Sequence, residues 1–233
     1  MTTVIGGVLS LTSQLLSPAQ QRSIEKDTKS QILSAVIQLE KKDDVLGIYN
    51  SRIKSFVVDF NGNIIENNQK GNPIIPEKVN VLKNFKKDLE ERELPVFQYM
   101  NEADSNMVDA YILPLYGKGL WNNIYGFIAL ESDLNTVKGI SLGHVAETPG
   151  LGARISDKDV QDRYKEKTIF EGDELVSIMM LKGEKNDPSL FGPHEVDGLS
   201  ASTLTANGVN AMLKEYLDCY KGFIEKTKNQ AKL

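Results

Sequence analysis

The strongest constraint on the fold lies in the middle of the chain. Residues 108–115, 124–130, 137–145 and 174–181 are rich in β-branched and aromatic side chains, which suit a pleated, half-buried surface. Gly117-Lys118-Gly119 and Ser132-Asp133-Leu134-Asn135 separate the first three runs as turns. Upstream, 54–60 and 64–66 flank Asn61-Gly62-Asn63, a hairpin signal because Asn and Gly tolerate positive φ. The chain closes on a different period. Val209, Met212, Leu213, Tyr216, Leu217, Tyr220, Phe223 and Ile224 follow helical spacing for about four turns. Helices are also expected over 18–40, where Ile24, Thr28, Ile32, Ala35, Val36 and Leu39 fall near one face, and over 76–89. Ser156-Asp157-Lys158-Asp159 resembles a capping box and opens a short helix to about Lys165. The expected fold is α+β, a mostly antiparallel sheet with helices packed on it.

Composition narrows the chemistry. The 233 residues, 40% hydrophobic and 25% charged, describe an ordinary globular protein, and the formal charge of -5 gives no electrostatic basis for nucleic-acid binding. The single cysteine, Cys219, leaves no disulfide within the chain and no thiolate set for zinc or an iron–sulfur cluster. Two histidines, His144 and His194, are too few for a metal site. Redox chemistry would have to come from a bound organic cofactor. No dinucleotide fingerprint or general acid/base cluster marks a self-contained oxidoreductase. At the N-terminus, an apolar stretch over 4–16 is interrupted by Ser10, Thr12, Ser13 and Gln14 and is shorter than the 20 or so residues of a spanning helix. The end of a membrane anchor, an interfacial segment and a docked amphipathic helix all fit it.

Two segments exceed what core packing needs. The first, Asp197-Gly198-Leu199-Ser200-Ala201-Ser202-Thr203-Leu204-Thr205-Ala206-Asn207-Gly208, precedes the closing helix and carries four hydroxyls. One of them would serve as an N-cap. The same helix start is an anion site, because its first N–H groups lack partners. The second, Gly143-His144-Val145-Ala146-Glu147-Thr148-Pro149-Gly150-Leu151-Gly152-Ala153, follows a strand. Pro-Gly alone reads as a turn. Gly150 and Gly152 would let backbone approach a flat ring, with Thr148 and exposed amides on its polar edge and Leu151 over its apolar face. His144 reads as a strand residue.

These segments carry a resemblance. Residues 197–203 resemble the flavinylation motif Asp-x-x-Ser/Thr-Gly-Ala-Thr of FMN-binding domains, with Ala201 and Ser202 replacing the usual Gly and Ala. Glu147-Thr148-Pro149-Gly150-Leu151-Gly152 resembles the second hallmark of that family. Tyr111-Ile112-Leu113-Pro114-Leu115-Tyr116-Gly117-Lys118-Gly119-Leu120-Trp121, with 124–131, is similar to one branch of it, the C subunits of sodium-translocating NADH:quinone oxidoreductases.

The resemblance implies FMN held covalently by a phosphoester on Thr203, with Asp197, Ser200, Ser202 and Thr205 around the phosphate. It places Glu147, Thr148, Gly150, Leu151 and Gly152 at the ring. Trp121 fits either core packing or stacking on the flavin. Lys118 fits either a solvated turn or contact with a phosphate or an anionic flavin. No metal is assigned to this chain. Maturation would require a flavin transferase using FAD and a divalent metal. The setting implied is a bacterial inner membrane, with 1–17 as an anchor remnant and 18–233 as a domain on the periplasmic side. Electrons would pass between partner subunits of a sodium-transporting NADH:ubiquinone reductase through this FMN. Two alternatives remain at this level: the FMN subunit of the related ferredoxin:NAD oxidoreductase, and a flavin-free scaffold that lost its attachment site at 201 and 202.

Overall fold

The structure is a computed structural model and describes residues 2–230. Its centre is a five-stranded antiparallel meander. The strands are β1 (Ile53–Val58), β2 (Leu94–Met100), β3 (Val108–Lys118), β4 (Asn123–Glu131) and β5 (Val137–His144), in that spatial order. Short links join β3 to β4 and β4 to β5, as antiparallel neighbours allow. β3 is buried on both faces, and its alternate side chains sort between two layers. Tyr111, Leu113 and Leu115 join one core with α5 (Thr203–Gln230). Ala110 and Ile112 join the other, with the end of α1 (Thr2–Ser34) and with α2 (Val45–Arg52). This is the two-residue period of a strand sandwiched between helices.

α5 fixes the geometry of everything after the sheet. Its face of Val209, Met212, Leu213, Tyr216, Leu217, Tyr220, Phe223 and Ile224 is buried. The Tyr220 hydroxyl donates to the Pro95 carbonyl at 2.7 Å. The side chain of Asn210 accepts from the Met180 amide at 2.7 Å and donates to its carbonyl at 3.0 Å. That pair docks β8 (Met179–Met180), which follows the two-residue hairpin β6 (Phe170–Glu171) and β7 (Glu174–Leu175). β8 pairs in parallel with β9 (Glu195–Val196), delivering residues 197–202 to the start of α5. α4 (Lys158–Asp162) covers β5.

Several expectations are corrected. The helix expected over 18–40 runs from Thr2 through Pro18 and stops at Ser34. The 76–89 helix is broken into a 3-10 turn at Pro76–Lys78, α3 (Val81–Phe85) and a second 3-10 turn at Leu89–Glu91. Asn80 caps α3 through the Lys83 amide, restarting the helix. The strand expected over 174–181 is split at Ser177, whose φ of 67° leaves the extended region. Asp157 precedes α4 without a side-chain cap bond, so the capping box is not formed. The Asn61-Gly62 turn forms, but its second arm makes only a bridge at Ile64, and β1 pairs with β2 instead. No helix among the described residues is long and apolar enough to cross a membrane. Met1, the first residue of the expected anchor, lies outside the described residues.

Candidate functional site

Residues from both singled-out segments meet at one buried carboxylate. Glu147 is 4% exposed, and its Oε2 accepts the Thr205 hydroxyl at 2.7 Å. Its Oε1 accepts the Trp121 amide at 3.0 Å. All these donors are neutral. Burial alone would raise the Glu147 pKa, but the Thr205 hydroxyl and the amides of Trp121, Asn122 and Leu120 outweigh it and hold the group below its ordinary value. The charged form therefore ties together the β3–β4 turn, the loop after β5 and the first turn of α5. The Glu147 amide donates to His144 Nδ1 at 3.2 Å, so His144 at the end of β5 orients this loop.

The loop itself is shaped by its glycines. Thr148 C=O accepts from the Leu151 amide at 3.1 Å, with Pro149 and Gly150 between them and Gly150 at φ 74°. That is the sequence and sign of a type II turn. At Gly152 a Cβ would stand 2.5 Å from Thr205 Oγ1 and 2.6 Å from Glu147 Oε2. Only glycine permits the Glu147–Thr205 bond to pass so close. Trp121 is not a core residue: it is 68% exposed, and its Nε1 donates to Thr148 Oγ1 at 3.2 Å. Leu120, Leu151 and Leu204 are exposed on the same three segments. Lys118 ends β3 with an exposed side chain.

The start of α5 is open. The Ser202 carbonyl accepts the first helical bond, from the Ala206 amide at 3.0 Å. Its hydroxyl turns back to the Ser200 carbonyl at 3.2 Å, and the Thr205 hydroxyl is committed to Glu147. No hydroxyl caps this helix among the described residues. The amides of Thr203, Leu204 and Thr205 have no acceptor among the described residues, as is usual for a helix start without a cap. Thr203 is half-buried, and its hydroxyl makes no hydrogen bond to another described residue. Ala201 sits at φ 53°, in the left-handed region that favours the glycine usual at this motif position. Asp197 is engaged by the segment at 185–186. Its carboxylate accepts the amides of Lys185 at 2.8 Å and Asn186 at 3.2 Å, and the Asn186 side chain at 2.9 Å. Burial raises its pKa, but these bonds and Arg163 bring it below the usual value.

Sequence reasoning missed one cluster. Glu184 accepts Arg154 through both oxygens at 2.8 and 2.9 Å, and Arg163 at 2.9 Å. Hydrogen bonds from Arg154 and Arg163 hold its carboxyl far below the usual carboxylate range. The three residues span 30 positions, and no local pattern announces the cluster. The sole hint is that Arg154 directly follows the Gly152-Ala153 end of the second motif.

Comparison with known proteins gives this geometry its class: residues 119–218 match the FMN-binding domain family. The C subunit of the Na(+)-translocating NADH-quinone reductase from Pasteurella multocida is 33% identical over 219 residues, covering 90% of this chain and 82% of the relative. Its counterpart from Pseudomonas aeruginosa is 32% identical over 184 residues, covering 75% and 70%. The crystal structure of the counterpart from Parabacteroides distasonis superposes with a TM-score of 0.75 at 30% identity, covering 90% of this chain and 96% of that one. The chain belongs to the family of C subunits of the Na(+)-translocating NADH-quinone reductase.

Proposed function

We propose that this chain is an electron-transfer subunit of a membrane-bound, sodium-translocating NADH:quinone reductase and carries FMN by a phosphoester on Thr203. The observation that carries the reading is the open start of α5: three unpaired amides and one unengaged hydroxyl, on Thr203. A helix start in this state favours a phosphate without any arginine. The fit extends to the ring, because Trp121, Leu151 and Leu204 offer exposed apolar surface beside it. Flavin supplies one-electron chemistry when bound. The chain's own residues attach it, orient it and keep it from being lost.

In attachment, the Thr203 oxygen bonds to the FMN-side phosphorus of FAD. The pyrophosphate bond to that phosphorus breaks, AMP leaves, and the hydroxyl proton passes to solvent. No oxidation state changes. A flavin transferase with its divalent metal would perform this step, and the flavin, once held by Thr203, would supply one-electron transfer between neighbouring subunits. Residues 1–17 lie toward the bacterial inner membrane and the domain lies on its periplasmic side. This fits the exposed Ile5, Leu11 and Leu16 of α1.

Co-expression with a flavin transferase tests the reading by intact mass. The wild type should gain the mass of one FMN less one water, and Thr203→Ala should gain nothing while remaining folded. Equal mass gain in both proteins would overturn the assignment.

A further inference from the structure

We propose that Glu184, Arg154 and Arg163 form a positioning clamp that holds residues 197–200 in the conformation in which the flavin transferase accepts Thr203. The inference rests on the Thr203 reading and extends it to residues outside both motifs. Arg163 Nη1 donates to the carbonyls of Gly198 at 2.6 Å and Asp197 at 3.3 Å. Glu184 Oε2 lies 3.4 Å from the Ser200 amide. The clamp therefore grips three parts of the attachment loop by its backbone. Arg154 stands in the 3-10 turn Gly152–Ser156 that leaves the ring-side loop, so the same cluster couples that loop to the attachment loop.

Two observations assign this cluster to positioning rather than to phosphate binding. First, its cations are already committed. Arg154 also meets Asp157 at 3.6 Å and Asp159 at 3.5 Å, and Arg163 meets Asp159 at 3.1 Å. With Glu184 and Asp197 the carboxylates outnumber the guanidinium groups. Second, Ala201 is left-handed immediately before α5. That conformation is unfavourable for alanine and persists only where surrounding contacts over-determine it. The clamp fixes the chain on the near side of Ala201, and α5 fixes it on the far side.

The test uses the full chain, a purified flavin transferase and FAD, with the initial rate of FMN loading read by intact mass below the melting transition. Glu184→Gln and Arg163→Lys should load roughly tenfold to a hundredfold more slowly than wild type, the scale of a misplaced reacting group. Lys138→Ala, which breaks an ion pair elsewhere on the sheet, should load at the wild-type rate. Adding Ala201→Gly to Glu184→Gln should recover part of the rate, because glycine enters the left-handed region without help. Amide exchange over 198–204 should accelerate in Glu184→Gln while β3 and β4 stay protected. If Glu184→Gln does not fold, Arg163→Lys decides, since it keeps the charge and loses the fork. Wild-type loading rates in the folded clamp variants would overturn the clamp and leave Thr203 standing. A wild type that never loads would overturn both.

Discussion

The two long helices of this protein are used in opposite ways. α5 buries a face of eleven residues against the sheet and begins at Thr203. α1 is longer, yet Ile5, Leu11, Leu16 and Ile24 are exposed, and its burial in the core is concentrated near Ile32 and Leu33. Helical length therefore says little about what a helix contributes. α5 has apolar residues at a steady helical period, so the sheet sets its position and, with it, the position of its N-terminus. Among its described residues, α1 meets the core through its last turns. A site that must hold a cofactor in register belongs on the first kind of helix, because its position is fixed by packing.

Truncation within the packed helix should have the largest effect. Leu213 is fully buried, and Leu213→Ala should destabilise by about 2–5 kcal/mol in denaturant unfolding. A loss below about 1 kcal/mol would mean that α5 is held less firmly than the usual cost of such a truncation implies. Next comes the tie at the first turn of α5. Glu147→Gln puts an amide where donors converge and should cost about 1–3 kcal/mol. The pH dependence has a definite sign. The folded Glu147 pKa lies below the ordinary 4.5, so its contribution is full above that value and is lost as pH falls through the folded pKa. The stability gap between wild type and Glu147→Gln should narrow below pH 4.5. A gap independent of pH would remove the charge from the account.

Smaller effects test the contrast from both sides. Ala201→Gly relieves a left-handed alanine worth about 1–2 kcal/mol, offset by the glycine's extra freedom when unfolded, about 0.4–1 kcal/mol. The net gain should lie between about 0 and about 1.6 kcal/mol. Deleting residues 2–17 should shift the melting temperature by less than about 2 °C, because the described residues of α1 that join the core lie near its C-terminal end. A large drop would show that the exposed half of α1 is docked after all.

How much of this was readable from the sequence depended on where the information was local. β3, β4 and β5 were legible because turn residues punctuate their apolar runs, and α5 because its period is unbroken. β2 was not, since Leu94–Met100 is buried almost throughout, shows no alternation and includes Pro95. The left-handed Ser177 that splits the 174–181 run has no marker such as glycine. At the site, the motif segments were visible as strings, and their meeting was not. Glu147 and Thr205 are 58 residues apart, and their bond exists because α5 packs across the end of β3. For Trp121 the sequence is compatible with core packing or with stacking on a flavin, and the structure places it outside the core. The clamp on residues 197–200 was invisible because Arg163 and Glu184 are ordinary charged residues until the fold brings them under the loop.

The central claim is that the start of α5 is a covalent flavin site, and fragment mass mapping of protein purified from its native host tests it most directly. The peptide spanning the end of β9 and the first turns of α5 should carry one FMN phosphoryl group, and fragmentation should place it on Thr203, with Ser200, Ser202 and Thr205 unmodified. An unmodified peptide, or a flavin mapped to any other residue, would contradict the account.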